Sequence, residues 1–185
     1  IAQTPDHAEL SYPFLVEHGH NWETGYQTHS MHQPIPIPRA DELGENECYI
    51  PPGWFHAGGD PEAPNGQPEQ RVWVDGFIVS RTPITNEQYI TFLNDLLHHQ
   101  GDAAALLWVP REQSNSDREL GSPIYKLGKR GFRHPRGREM DRHPVVHVTW
   151  YSALAYSQWR AAKTDQPWRL PCELEWEKAA RGVDR

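Results

Sequence analysis

The chain has 185 residues, enough for one domain with a sizeable core and too few for two comfortable ones. Its formal charge of −7 at pH 7 argues against a nucleic-acid partner, because phosphate binding demands a surplus of Lys and Arg. No apolar run approaches the ~20 residues of a membrane-spanning helix, and no signal-peptide pattern opens the sequence.

Hydrophobic residues make up only 37% of the chain while Pro (17) and Gly (14) are frequent, which predicts a loop-rich fold of short elements. Eight Trp and seven Tyr are expected to supply much of the burial. Cys48 and Cys172 are too few for a disulfide framework and lack metal-type spacing, so a reducing, cytoplasmic compartment fits.

Residues 1–46 read as an extended linker or strap. They contain Gln33-Pro-Ile-Pro-Ile-Pro38, whose alternating prolines favour polyproline-II backbone. Among His7, His18, His20, His29 and His32, no pair shows the helical i, i+4 spacing of a recognised metal site with a carboxylate beside it. From Cys48 the pattern turns to β: one strand over Cys48–Ala57 and a second over Arg71–Val79, with Asp75-Gly76 as a bulge or turn inside it.

Helices follow. Thr85 is placed to cap a helix over 86–98 through a capping box with Gln88, and Tyr89, Phe92, Leu93, Leu96 and Leu97 form its apolar stripe. A short helix is expected over Asp102–Leu107. Residues 110–142 carry no sustained period and read as an extended insertion with few apolar anchors, with a strand at Ile124–Leu127. After the buried-looking Val145–Val148, Thr149 caps a helix over 150–162 that turns Tyr156 and Trp159 inward. A last helix spans 173–181. Cys172 stands at its cap, where a thiol is a poor acceptor, and Glu173 and Glu175 offset part of that weakness at the positive end of the helix dipole.

Four stretches, in order, carry a resemblance: Tyr49-Ile-Pro-Pro-Gly-Trp-Phe-His-Ala-Gly-Gly59, Pro83-Ile-Thr-Asn-Glu-Gln-Tyr-Ile-Thr-Phe-Leu93, His143-Pro-Val-Val-His-Val-Thr-Trp150 with the helix after it, and Arg169-Leu-Pro-Cys-Glu-Leu-Glu-Trp-Glu-Lys-Ala-Ala-Arg-Gly182. Together they resemble the formylglycine-generating enzyme, or sulfatase-modifying factor, family. The resemblance implies an α+β fold, C-type-lectin-like and loop-rich, of which residues 47–185 would form the N-terminal part, incomplete at the C-terminus. It also implies that strands from the two ends of the domain pair, so this part alone should show an uncovered apolar face and find its complementary C-terminal part as partner. The ending at Arg185 reads as a cut by an Arg-specific protease.

The family's founding activity uses oxygen and a copper-bound cysteine pair from the C-terminal part of the domain. Neither Cys48 nor Cys172 lies in a matching motif, so no residue is assigned as catalytic, cofactor-binding or metal-binding. The resemblance allows calcium or copper only together with that further part. Glu173, Glu177 and Arg181 repeat at four on one helical face, a pattern of ordinary ion pairing that looks architectural. Pro51-Pro-Gly53, Val72-Trp-Val-Asp-Gly-Phe77 and the stretch from Glu173 to Asp184 resemble the accessory domains of bacterial signalling proteins, which implies a non-catalytic recognition or regulatory domain with a protein partner. The alternative is an oxidase whose cysteines lie elsewhere. The candidate partner-binding loop carries Arg130, Arg133, Arg136 and Arg138, which suit an acidic protein surface, although a tolerated solvated loop explains them as well.

Overall fold

A computed structural model describes residues 6–7, 37–64, 66–112 and 121–182. Most of the expected strap, including His18, His20, His29 and His32, lies outside the described residues; a 3-10 turn covers Ala40–Glu42 near its end. In chain order the regular elements are β1 (Glu47–Ile50), β2 (Gly53–Ala57), β3 (Gln70–Val74), β4 (Phe77–Ser80), α1 (Asn86–Gln100), α2 (Asp102–Leu106), β5 (Lys126–Gly128), β6 (Gly131–Arg133), α3 (Trp150–Thr164) and α4 (Glu173–Arg181). The mixture is α+β, and it forms two compact units: the chain up to Thr82 together with Pro171 onward, and Pro83–Leu170.

In the first unit each expected strand is broken in two, and the breaks face each other. β1 pairs with β4 and β2 with β3, both antiparallel, so Ile50 opposes Phe77 and Gly53 opposes Val74. Between them lie Pro51-Pro52 on one side and Asp75-Gly76 on the other. Proline has no N–H to give a ladder, so the pairing must lapse there. At the same break Gly76 lets the chain approach closely: a Cβ there would sit 2.6 Å from the Tyr49 hydroxyl, which would have to shift. Alternation along β2 and β3 puts Phe55, Ala57 and Val74 into a small core, with Val72, Phe77 and Leu174 of α4 against it.

The second unit is built on α1. Thr85 accepts the Gln88 amide at 3.3 Å while the Gln88 side chain accepts the Thr85 amide at 2.9 Å, the expected capping box. The helix runs two residues further than expected, until Gly101 at φ 85 turns the chain. Tyr89, Phe92, Leu93 and Leu96 are buried on one stripe and meet Tyr156 of α3, which stacks on Tyr89 with centroids 5.7 Å apart. Thr149 caps α3 as expected, accepting the Ser152 amide at 3.1 Å.

Two expectations for this unit are corrected. Val145–Val148 is not uniformly buried: His147 takes a left-handed φ of 59, which leaves Val145 and Val148 against the core and Val146 in solvent. The insertion 110–142 is not short of anchors. Tyr125 and Phe132 are both buried in the main core, and β5 and β6 pair as a hairpin. The expected strand at 124–127 begins two residues later and ends one later, at 126–128.

Burial pushes the Tyr89 phenol up to about 12, and it raises those of Tyr125 and Tyr156 as well. An unfolded chain ionises its tyrosines near pH 10. The stability held by these buried phenols is therefore complete below pH 10 and is lost as pH rises towards 12. Tyr89 alone accounts for about 3 kcal/mol of that loss. Urea midpoints at pH 9 and pH 11 should show the drop, and Tyr89→Phe should lessen it. Equal midpoints at the two pH values would contradict the assignment.

Candidate functional site

Two of the four candidate arginines belong to the hairpin: Arg130 lies in the turn between β5 and β6, and Arg133 ends β6. Arg136 occupies the following turn and Arg138 opens a 3-10 turn, Arg138–Met140. All four are exposed, and among the described residues none has a side-chain hydrogen bond or ion pair. His134, between them, has its pKa lowered first by burial and then by the neighbouring Arg136 charge.

Other charged and polar clusters hold backbone or join elements. The Lys178 ammonium, on the face of α4 that also carries Leu174, enters the break in the β ribbon and donates to the carbonyls of Pro51 (2.8 Å), Gly53 (3.1 Å) and Val74 (3.2 Å). These acceptors lie at the lapse in the ladder. Burial lowers the Lys178 pKa to about 8, against the opposing pull of Asp75. Beside it in sequence, the Glu177 carboxylate accepts the Gly58 amide at 2.8 Å and the Arg181 guanidinium at 2.9 Å, while Arg181 donates to the Gly58 carbonyl at 2.7 Å. The pair expected to be ordinary surface pairing is a clamp on the backbone of one residue, Gly58, which itself holds φ 70.

In the second unit, Asp95 of α1 accepts from Lys163 (2.9 Å) and from the Trp159 indole (2.8 Å) of α3, and these bonds, Lys163 foremost, hold its carboxyl below the usual range. Asn86, at the start of α1, is buried as well. Its carbonyl oxygen accepts the Tyr125 hydroxyl, its amide donates to the Met140 carbonyl at 2.8 Å, and its backbone N–H donates to His143. The insertion is thereby tied to the start of α1.

Cys48 is half-buried and Cys172 exposed, and both are free. At the α4 cap the Glu175 carboxylate accepts the Cys172 amide at 2.8 Å, the returning half of a capping box. Among the described residues no group of three or more His, Cys, Asp or Glu side chains could hold a metal ion. No helix among them is long and apolar enough to cross a membrane.

The model of the sulfatase-modifying factor enzyme 1-like domain matches residues 33–185. The chain belongs to this family. It is 34% identical over 162 residues to the inactive C-alpha-formylglycine-generating enzyme 2 of Bos taurus, covering 76% of this chain and 52% of that protein. Against the formylglycine-generating enzyme of Thermomonospora curvata it is 31% identical over 166 residues, 80% of this chain and 52% of the relative. The serine/threonine-protein kinase Pkn1 of Chlamydia trachomatis shows 31% identity over 147 residues, 80% of this chain and 20% of the kinase. The chain thus spans about half the length of the first two relatives and a fifth of the third.

Lys178 and Asn86 went unread in the sequence. A lysine four residues after Leu174, on the inward face of a helix, was the signal for the first, and two adjacent prolines in a strand announced the acceptors it satisfies. Asn86 had only its place one residue after the cap.

Proposed function

We propose that this chain is a non-catalytic recognition or regulatory domain of a larger bacterial signalling protein, of C-type-lectin-like fold and cytoplasmic location. The observation that supports it most is the division of labour among charges. Every buried side-chain polar atom among the described residues has a partner, and the clusters at Lys178, Glu177, Asp95 and Asn86 serve the backbone or join helices. The exposed arginines at 130, 133, 136 and 138 are left with unpaired charge, close together in sequence, and they suit an acidic protein partner. A kinase and an inactive enzyme among the relatives are in keeping with this reading.

A further stretch of the same domain is proposed as a second partner. Val146, Trp150 and Tyr151 are 57%, 62% and 71% exposed, and large apolar groups clustered in solvent mark a surface that something covers. The longer relatives have chain to spare for that purpose.

The oxidase alternative is favoured by the relatives named formylglycine-generating enzyme. Full-length parent protein, loaded with copper and given oxygen and a cysteine-bearing sulfatase peptide, separates the two. The recognition reading expects no aldehyde product and no change when Cys48 and Cys172 are both replaced by Ser. Copper-dependent turnover would overturn it. In the same protein the Trp150 indole should be shielded from an acrylamide quencher; free quenching would remove the proposed covering stretch.

A further inference from the structure

We propose that the β5–β6 hairpin is the docking element of this domain and that its ligand is a carboxylate-rich peptide, seated across Lys126 and Arg133 with Lys129 and Arg130 at the turn. This rests on the recognition reading and narrows it from a run of arginines to one face of one hairpin.

Charge comes first. Residues 126–138 carry Lys126, Lys129, Arg130, Arg133, Arg136 and Arg138 with no Asp or Glu among them, in a chain whose net charge is −7. In the antiparallel register Lys126 lies directly opposite Arg133. Opposed residues project from the same face of a two-stranded sheet, and like charges placed so destabilise the pairing. Both are exposed, and neither meets a carboxylate among the described residues, although the chain has 25 acidic side chains and pairs Lys163 and Arg181 at 2.9 Å. The repulsion is left in place, ready for an anion from outside.

Support comes second. The opposite face of the hairpin is fixed: Phe132 is buried in the main core, and its amide donates to the Asn94 side chain at 2.7 Å. Gly131 holds φ 106, and a Cβ there would meet that same Asn94 oxygen at 2.5 Å, so the turn is locked to α1. Lys126 and Arg133 therefore stand on a preorganised base, which reduces the ordering cost of binding.

The ligand follows from the spacing. Opposed β-carbons are roughly 5 Å apart, and alternate side chains of an extended peptide are separated by about 6.6 Å. Alternating Asp or Glu residues can thus reach both cations, Arg133 in a bidentate manner. A long polyanion would also meet the acidic remainder of the chain, whereas a short peptide engages the hairpin alone.

The test uses a fluorescein-labelled ten-residue peptide of alternating Glu and Ser, titrated with the full chain at low and high salt. Binding that weakens with salt is expected, and Lys126→Glu with Arg133→Glu should lower the affinity by about tenfold or more, as loss of close charge pairs does. Arg133→Glu alone should weaken binding while raising the melting temperature, because it converts a repelling cross-strand pair into an attracting one. A purely structural pair would not move those two readouts in opposite directions. Full affinity in the hairpin double variant, with loss in Arg136→Glu/Arg138→Glu, would overturn the hairpin and leave the recognition reading intact. No binding by the wild-type chain, or tighter binding of a single-stranded RNA of equal charge, would overturn the peptide as ligand. Copper-dependent turnover, by contrast, would remove the recognition reading itself.

Discussion

Lys178→Met should destabilise the first unit by about 3 kcal/mol, a large share of the 5–15 kcal/mol that holds an ordinary domain together. Two effects oppose each other. The ammonium is costly to bury, and the depression of its pKa from 10.5 to about 8 corresponds to about 3 kcal/mol at neutral pH, which methionine removes. Against that, three carbonyl oxygens lose their donor at a break where the ladder has none to offer, at about 1–3 kcal/mol each. The second effect wins. It also explains why an apolar residue of similar length does not stand in the position that Lys178 occupies.

The same group gives a pH signature. Its folded pKa is depressed, so between about 8 and 10.5 the unfolded chain binds the proton and the folded chain does not. Stability of the wild type should therefore gain over that interval, before the tyrosine losses set in, and Lys178→Met should show no such gain. Urea titrations of both proteins at pH 7, 8.5 and 9.5 check both statements. A variant as stable as the wild type at pH 7 would mean that solvent or another donor serves the three carbonyls.

What the sequence disclosed was periodic or local. The stripe Tyr89, Phe92, Leu93, Leu96 repeats at three and four, and Thr85 with Gln88 is a cap written in four residues, so α1 could be placed to within two residues. The family resemblance rested on such stretches too. Interactions that bridge distant positions left no periodic mark: Lys178 reaches residues more than a hundred positions away, and Asn86 holds Met140 across 54. The hairpin was hidden differently. Its strands have three residues each, too short for alternation to register, and Phe132 stands between Gly131 and Arg133 with no apolar neighbour to set a period. The arginines were found by composition alone, without the opposition of Lys126 and Arg133 that register reveals.

Asn86→Asp should cost about 3 kcal/mol or more at pH 7 and should loosen the segment that carries the cationic hairpin. The substitution keeps size and shape, so packing does not change. Its effect is confined to one atom: an amide nitrogen that donates to the Met140 carbonyl at 2.8 Å becomes a carboxylate oxygen facing another oxygen. The Tyr125 hydroxyl still has its acceptor, and the N-terminus of α1 favours a negative charge by about 0.3–1 kcal/mol. Neither offsets a buried carboxylate repelled by a carbonyl, since Asn86 is only 4% exposed. The acid can donate to Met140 only when protonated, which raises its folded pKa above the unfolded value near 4. The deficit should accordingly be small below pH 4 and grow as pH rises through the folded pKa. Denaturation of variant and wild type at pH 4 and pH 7 gives the difference directly, and amide exchange along residues 125–143 reports whether the hairpin's support has loosened with it. A deficit that is the same at both pH values would show that the loss comes from something other than the Met140 contact.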